Sequence, residues 1–205
     1  MHVEKSLRDH ARLKPAITLL DGKFAEIEKH INPAILPRLK TVPFWLNKDL
    51  RSGACYHPNP EWLAANDRMP EKVRSIEIQN IHHFIDWEKT QPMMVLHELA
   101  HAFHHQVHGF QNPVITAAYK NMLASGKYEK VRHVNGKTQR HYGLNNEKEY
   151  FAECTEAYFG KNDFFPFTRA DLKQFDPQGY AMVESLWKTR SKEQPTNNKA
   201  VPARP

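Results

Sequence analysis

The chain has 205 residues, a formal charge of +6 at pH 7, 40% hydrophobic and 25% charged residues. That balance suits one globular core and excludes disorder over the bulk of the chain. Two cysteines exclude a disulfide-stapled mini-fold, and no apolar run reaches the roughly 18 residues of a membrane helix.

The basic residues are dispersed, and the 8 glycines form no phosphate-cradling loop. The expected partners therefore include neither nucleic acid nor a membrane interior, and a monomer is expected. The opening residues are charged and lack the apolar stretch of a secretory signal. The expectation is a cytoplasmic chain or a mature secreted form.

In chain order, residues 1–15 read as an N-terminal arm, 16–190 as one domain, and 191–205, polar and proline-rich, as a disordered tail. Phe24, Ile27 and Ile31 lie at helical spacing, ended by Asn32-Pro33. Short strands are predicted over 41–46 and 53–57, and Pro60 opens a helix. Alternation over 73–78 predicts another strand. Pro92 opens the clearest helix, which Gly109 ends, and 112–123 is a further helix. Residues 127–142 form two polar arms around Asn135-Gly136, the signal of a two-residue hairpin turn. Helices follow over 147–159, 171–174 and 179–190. The class is α+β, with short strands early and helices dominating later.

Five of the 13 histidines fall between His97 and His108. His97-Glu98-Leu99-Ala100-His101 is an H-E-x-x-H motif. Residues i and i+4 share a helical face, so both imidazoles can hold one Zn²⁺ at roughly 2.0–2.1 Å. Glu98 can then take a proton from the attacking water. The uncharged flanks Met94, Val95, Leu96, Ala102 and Phe103 predict a buried helix whose polar groups need partners. His104, His105 and His108 lie on later turns, and one straight helix cannot bring three turns to one ion.

A third ligand must come from elsewhere. The metzincin pattern needs glycine at position 104 and histidine at 107, where this chain has His104 and Val107. The remaining source is the helix over 147–159. Glu149, Glu153 and Glu156 sit at i, i+4 and i+7 on one face among apolar residues, an arrangement that calls for a cation.

H-E-x-x-H followed by E-x-x-x-[DE] resembles the gluzincin metallopeptidases. More narrowly, the run from Tyr142 through Gly143, Asn146, Glu147, Glu149, Tyr150, Phe151 and Ala152 to Glu153 resembles the catalytic domain of anthrax lethal factor and related bacterial peptidases. The resemblance covers roughly 94–160. It implies a zincin-like fold with a short N-terminal sheet, one Zn²⁺ per chain and a peptide or protein substrate. It implies that Glu149 is the third ligand, Glu153 the carboxylate behind a ligating histidine, and Tyr142 the electrophilic hydroxyl. His141 is the local alternative beside Tyr142. The strand at Ile76, Glu77 and Ile78 would be the edge that pairs with substrate backbone. The expected activity is a zinc endopeptidase. The alternatives are a zinc hydrolase of non-peptide amides and a non-catalytic module that keeps the metal. Cys55 and Cys154 read as buried thiols, with a bridge between them left open.

Overall fold

The computed structural model describes residues 1–188, so the tail expected at 191–205 lies outside the described residues. A four-stranded sheet carries the N-terminal half: β1 (His2–Val3), β2 (Phe44–Leu46), β3 (Asp49–Tyr56) and β4 (Ile76–Asn80). The spatial order is β1-β2-β4-β3. β1 and β2, and β2 and β4, pair in parallel, while β3 runs antiparallel to β4. Side chains alternate across a strand, so Phe44, Leu46, Ile76 and Ile78 share the buried core face while Glu77 and Gln79 point the other way.

The helices are α1 (Leu13–His30), α2 (Leu36–Leu39), α3 (Pro60–Ala65), α4 (Ile81–Trp87), α5 (Met94–Phe103), α6 (Pro113–Ser125), α7 (Glu147–Phe159), α8 (Arg169–Phe175) and α9 (Pro177–Lys188). Their starts are chemically marked. Asn59, Asn80, Asn112 and Asn146 each accept backbone N–H groups from the first turns of α3, α4, α6 and α7. Among the described residues no helix is long and apolar enough to cross a membrane. α5 packs against β3 and β4 on one side and α7 on the other, and α7 is covered in turn by α9. Eight of the ten α5 residues are buried, including Glu98, and nine of thirteen in α7, including Glu153 and Glu156.

Several expectations are corrected. Residues 1–15 are no separate arm. β1 pairs with β2, the His2 ring stacks on Trp45 at 4.2 Å, and Leu7 is fully buried. The strand expected over 73–78 begins at Ile76, because Arg74 adopts φ +56° and breaks the extended chain. More importantly, Ile76, Glu77 and Ile78 do not form an edge. β4 lies between β2 and β3, so both its sides are paired, and the sheet's edges are β1 and β3. Glu77 tolerates burial because Asn47 Nδ2 donates at 2.7 Å, His57 Nε2 lies at 3.1 Å, Arg68 at 3.7 Å, and Lys72 pairs with it. Burial works against its charge, but His57 and Lys72 hold the carboxyl down at about 2.

The hairpin is β5 (Val131–Arg132) with β6 (Thr138–Gln139). Its loop holds three residues, not two: His133 N–H donates to the Lys137 carbonyl at 2.9 Å, and Gly136 sits at φ +83°. That is a three-residue loop with glycine in the left-handed position. Cys55 and Cys154 are both free thiols, so they form no bridge.

Asp176 ties the helical layer together. Its carboxylate accepts from Tyr150 at 2.6 Å, Tyr128 at 3.1 Å and the Gly179 backbone at 2.9 Å. A Cβ at Gly179 would meet the Tyr150 hydroxyl at 2.6 Å and Asp176 Oδ2 at 2.7 Å. Gly179→Ala is therefore expected to destabilise the fold by about 1–3 kcal/mol, seen as a lower midpoint in thermal denaturation; an unchanged midpoint would contradict this packing.

Candidate metal centre

The site is built where α5 meets α7. One helical turn sets His97 above His101, with ring centroids 4.8 Å apart. Asn146 caps α7 and so fixes the helical phase of Glu149, three residues on. Glu149 Oε2 then lies 3.1 Å from His97 Nε2 and 3.3 Å from His101 Nε2. Donors around one tetrahedral ion with bonds of roughly 2.0–2.1 Å stand about 3.3 Å apart. The three donors thus have the spacing and the chemistry to hold one divalent cation.

Behind this triad, His97 Nδ1 donates to Glu156 Oε1 at 2.6 Å. A hydrogen on Nδ1 leaves the Nε2 lone pair facing the site. This corrects the expectation for Glu153, which stands 3.8 Å from His97 Nδ1. Glu153 accepts instead from Asn162 Nδ2 at 3.1 Å and lies 3.7 Å from His141. The difference is one of helical phase: α7 presents its i+7 acid, Glu156, to the ring and leaves the i+4 acid beside the next loop. The sequence placed Glu156 on the right face but gave it no role.

The electrostatics follow. Burial would raise the Glu149 carboxyl, but His101 and His97 hold it well below the usual range. Burial works against a charge on His97, yet Glu149 and Glu156 push its pKa up. Burial, with Glu156 close by, pushes Glu153 well up.

Glu98 is buried and aimed into the cleft beside the triad, and its Oε2 has no hydrogen-bond partner among the described residues. Tyr142 is 46% exposed, with its ring centroid 6.4 Å from that of His97. It does not end the hairpin as expected. It starts a 3₁₀ turn, Tyr142–Leu144, that leads into α7. His141 caps this turn, its Nδ1 accepting from Gly143 N–H at 2.9 Å. A Cβ at Gly143 would press on His141 at 3.0 Å and on the Tyr150 backbone at 3.2 Å. His141 is itself 1% exposed, and burial lowers its pKa to about 3. It is a neutral prop beneath Tyr142, not a group facing the cleft.

The edge strand β3 forms the opposite wall. The cleft has two lobes that share Ala54, His97, Glu98 and Tyr142. One, of about 300 Å³, is walled by Cys55, Tyr56, Trp62, Phe110 and Lys148. The other, of about 290 Å³, is walled by Gly53, Trp87, Gln91, Met94 and Phe164, with Glu153 and Glu156 at its base. A larger apolar cavity of about 370 Å³ lies between α1, α2 and Phe44 and contains no histidine or cysteine. The later histidines stay off the triad. His104 is fully buried beside Phe110 and Phe151 and, with its pKa lowered by burial to about 3, is neutral. His105 Nδ1 lies 2.9 Å from the Tyr56 hydroxyl.

The family model for anthrax toxin lethal factor, N- and C-terminal domain, matches residues 64–186. No curated protein and no solved structure matches the chain. The matched span contains α5, α7 and the Tyr142 turn, but not β3.

Because Glu156 sets the His97 ring, Glu156→Gln is expected to weaken divalent-metal binding roughly 10–100-fold, measured by competition with a chromophoric chelator. Equal affinity would show that the ring is oriented by something else.

Proposed function

The chain belongs to the anthrax toxin lethal factor N- and C-terminal domain family, and from that premise we propose that it is a zinc-dependent endopeptidase of zincin-like, gluzincin type. The observation that carries the reading is the buried, unpartnered Glu98 carboxylate beside three converging donors. His97, His101 and Glu149 would hold the zinc. The ion, when bound, supplies Lewis acidity at the scissile carbonyl and at the attacking water.

This chain's own groups do the rest. β3 offers its free edge to an extended substrate segment, which adds as a further strand. Glu98 removes a proton as water adds to the carbonyl carbon, then delivers it to the nitrogen as the C–N bond breaks. The Tyr142 hydroxyl donates a hydrogen bond to the oxygen that gains charge. Burial and Glu149 raise its pKa, so it remains a donor. The Glu156 carboxylate keeps His97 in one tautomer throughout.

A module that kept zinc only as structure would have no use for a desolvated acid facing open cleft, which favours catalysis over that alternative. Glu98→Gln is expected to retain one zinc per chain by elemental analysis and to lose at least about 10²–10⁴ of its peptide hydrolysis. In the same assay Tyr142→Phe should lower kcat with KM little changed. Full activity in the Glu98 variant would sink the assignment of the base, and unchanged kinetics in the Tyr142 variant would remove that hydroxyl from the reaction.

A further inference from the structure

The apolar cavity between α1, α2 and Phe44 takes no part in the chemistry proposed above. Its volume is about 370 Å³, and its walls are Leu20, Phe24 and Ile27 of α1, Leu36 and Leu39 of α2, and Phe44 of β2. Leu99 of α5 also lines it and is only 1% exposed, so the cavity reaches inward to the helix that carries His97 and His101. Leu99 follows Glu98 in the chain.

The polar side chains along the lining are Asp21, Glu28 and Lys40, and all three are exposed. They therefore mark the mouth, where Lys40 pairs with Glu28 at 2.8 Å and ties the end of α2 to α1. No lining side chain has a buried polar atom without a partner. A water molecule held inside a protein needs two to four polar partners, and these walls are hydrocarbon. An apolar cavity of about 150 Å³ already stays dry and takes up benzene. This one has more than twice that volume, whereas folded interiors hold few spaces larger than one water molecule.

We propose that this cavity is a binding site for a small apolar molecule, an unbranched alkyl chain with a neutral hydroxyl head. The inference stands apart from the endopeptidase reading. The chain lies against the leucine and phenylalanine walls, where each buried CH₂ tightens binding about fourfold. The hydroxyl stays at the mouth and donates to the Asp21 or Glu28 carboxylate. Two carboxylates against one ammonium at that mouth disfavour a fatty-acid carboxylate as the head.

The test titrates the full chain with butanol, hexanol, octanol and octanoate and follows the leucine and valine methyl groups by NMR. Saturable shifts are expected at Leu20, Leu36, Leu39 and Leu99, and not at Leu63 or Leu144, which lie off the cavity. Affinity should rise about fourfold per CH₂ from butanol to octanol, and octanoate should bind more weakly than octanol. Leu36→Trp and Val42→Phe fill the space from two different walls. Each should abolish the octanol shifts while keeping a thermal midpoint at or above the parent's, because the cavity has room for the larger side chain. The parent titration decides the matter even where a variant melts early. Shifts that spread over surface methyl groups without saturating, or filled variants that bind octanol as the parent does, overturn the site. Octanoate binding more tightly than octanol overturns the neutral head.

Discussion

Two histidines on one buried helix meet three carboxylates on the face of another, and most of the structure is arranged around that meeting. Each buried charge would cost several kcal/mol if left alone. Here Glu149 faces both imidazoles, Glu156 binds the back of His97, and Glu153 is held by Asn162. A divalent cation in front of the triad would neutralise what the histidines cannot. The surrounding core, with α5 against the sheet and α9 over α7, holds the two helices in place.

The cleft walls are held by neighbouring elements. Glu77 collects Asn47, His57, Arg68 and Lys72 beneath the sheet and so joins β2, β3 and the segment after α3. The His57 ring packs on Trp62 at 5.0 Å, which carries this order to the cleft wall. On the other side, the His141 cap and the close approach at Gly143 press the Tyr142 turn onto Tyr150 of α7. The tyrosine is thus positioned by the helix that carries Glu149, with little freedom to move independently of it.

Much of this was legible in the residues. The span 147–159 is a helix with those bounds because Asn146 caps its start and Gly160 follows its end. His97, His101 and Glu149 come together as helical spacing and the family resemblance implied. What could not be read was whatever depends on neighbours rather than period. Alternation at Ile76–Ile78 identifies a strand but not whether its sides are paired, so the edge expected at β4 lies instead at β1 and β3. The i, i+4, i+7 pattern of α7 placed three acids on one face but could not say which would touch His97. That choice is set by the crossing of α5 and α7. The N-terminal residues looked solvated because their polar composition hides the two-residue pairing with β2.

On the proposed function, the triad would hold one zinc, and this ion would offset the buried acids. The most direct test of this is thermal denaturation of the metal-free chain titrated with zinc, with Glu149→Gln alongside. The account predicts saturation at one zinc per chain and a rise in midpoint of roughly 5 °C or more at about 100 times Kd, absent from the Glu149 variant. No shift in the parent chain, or an equal shift in both, would contradict it.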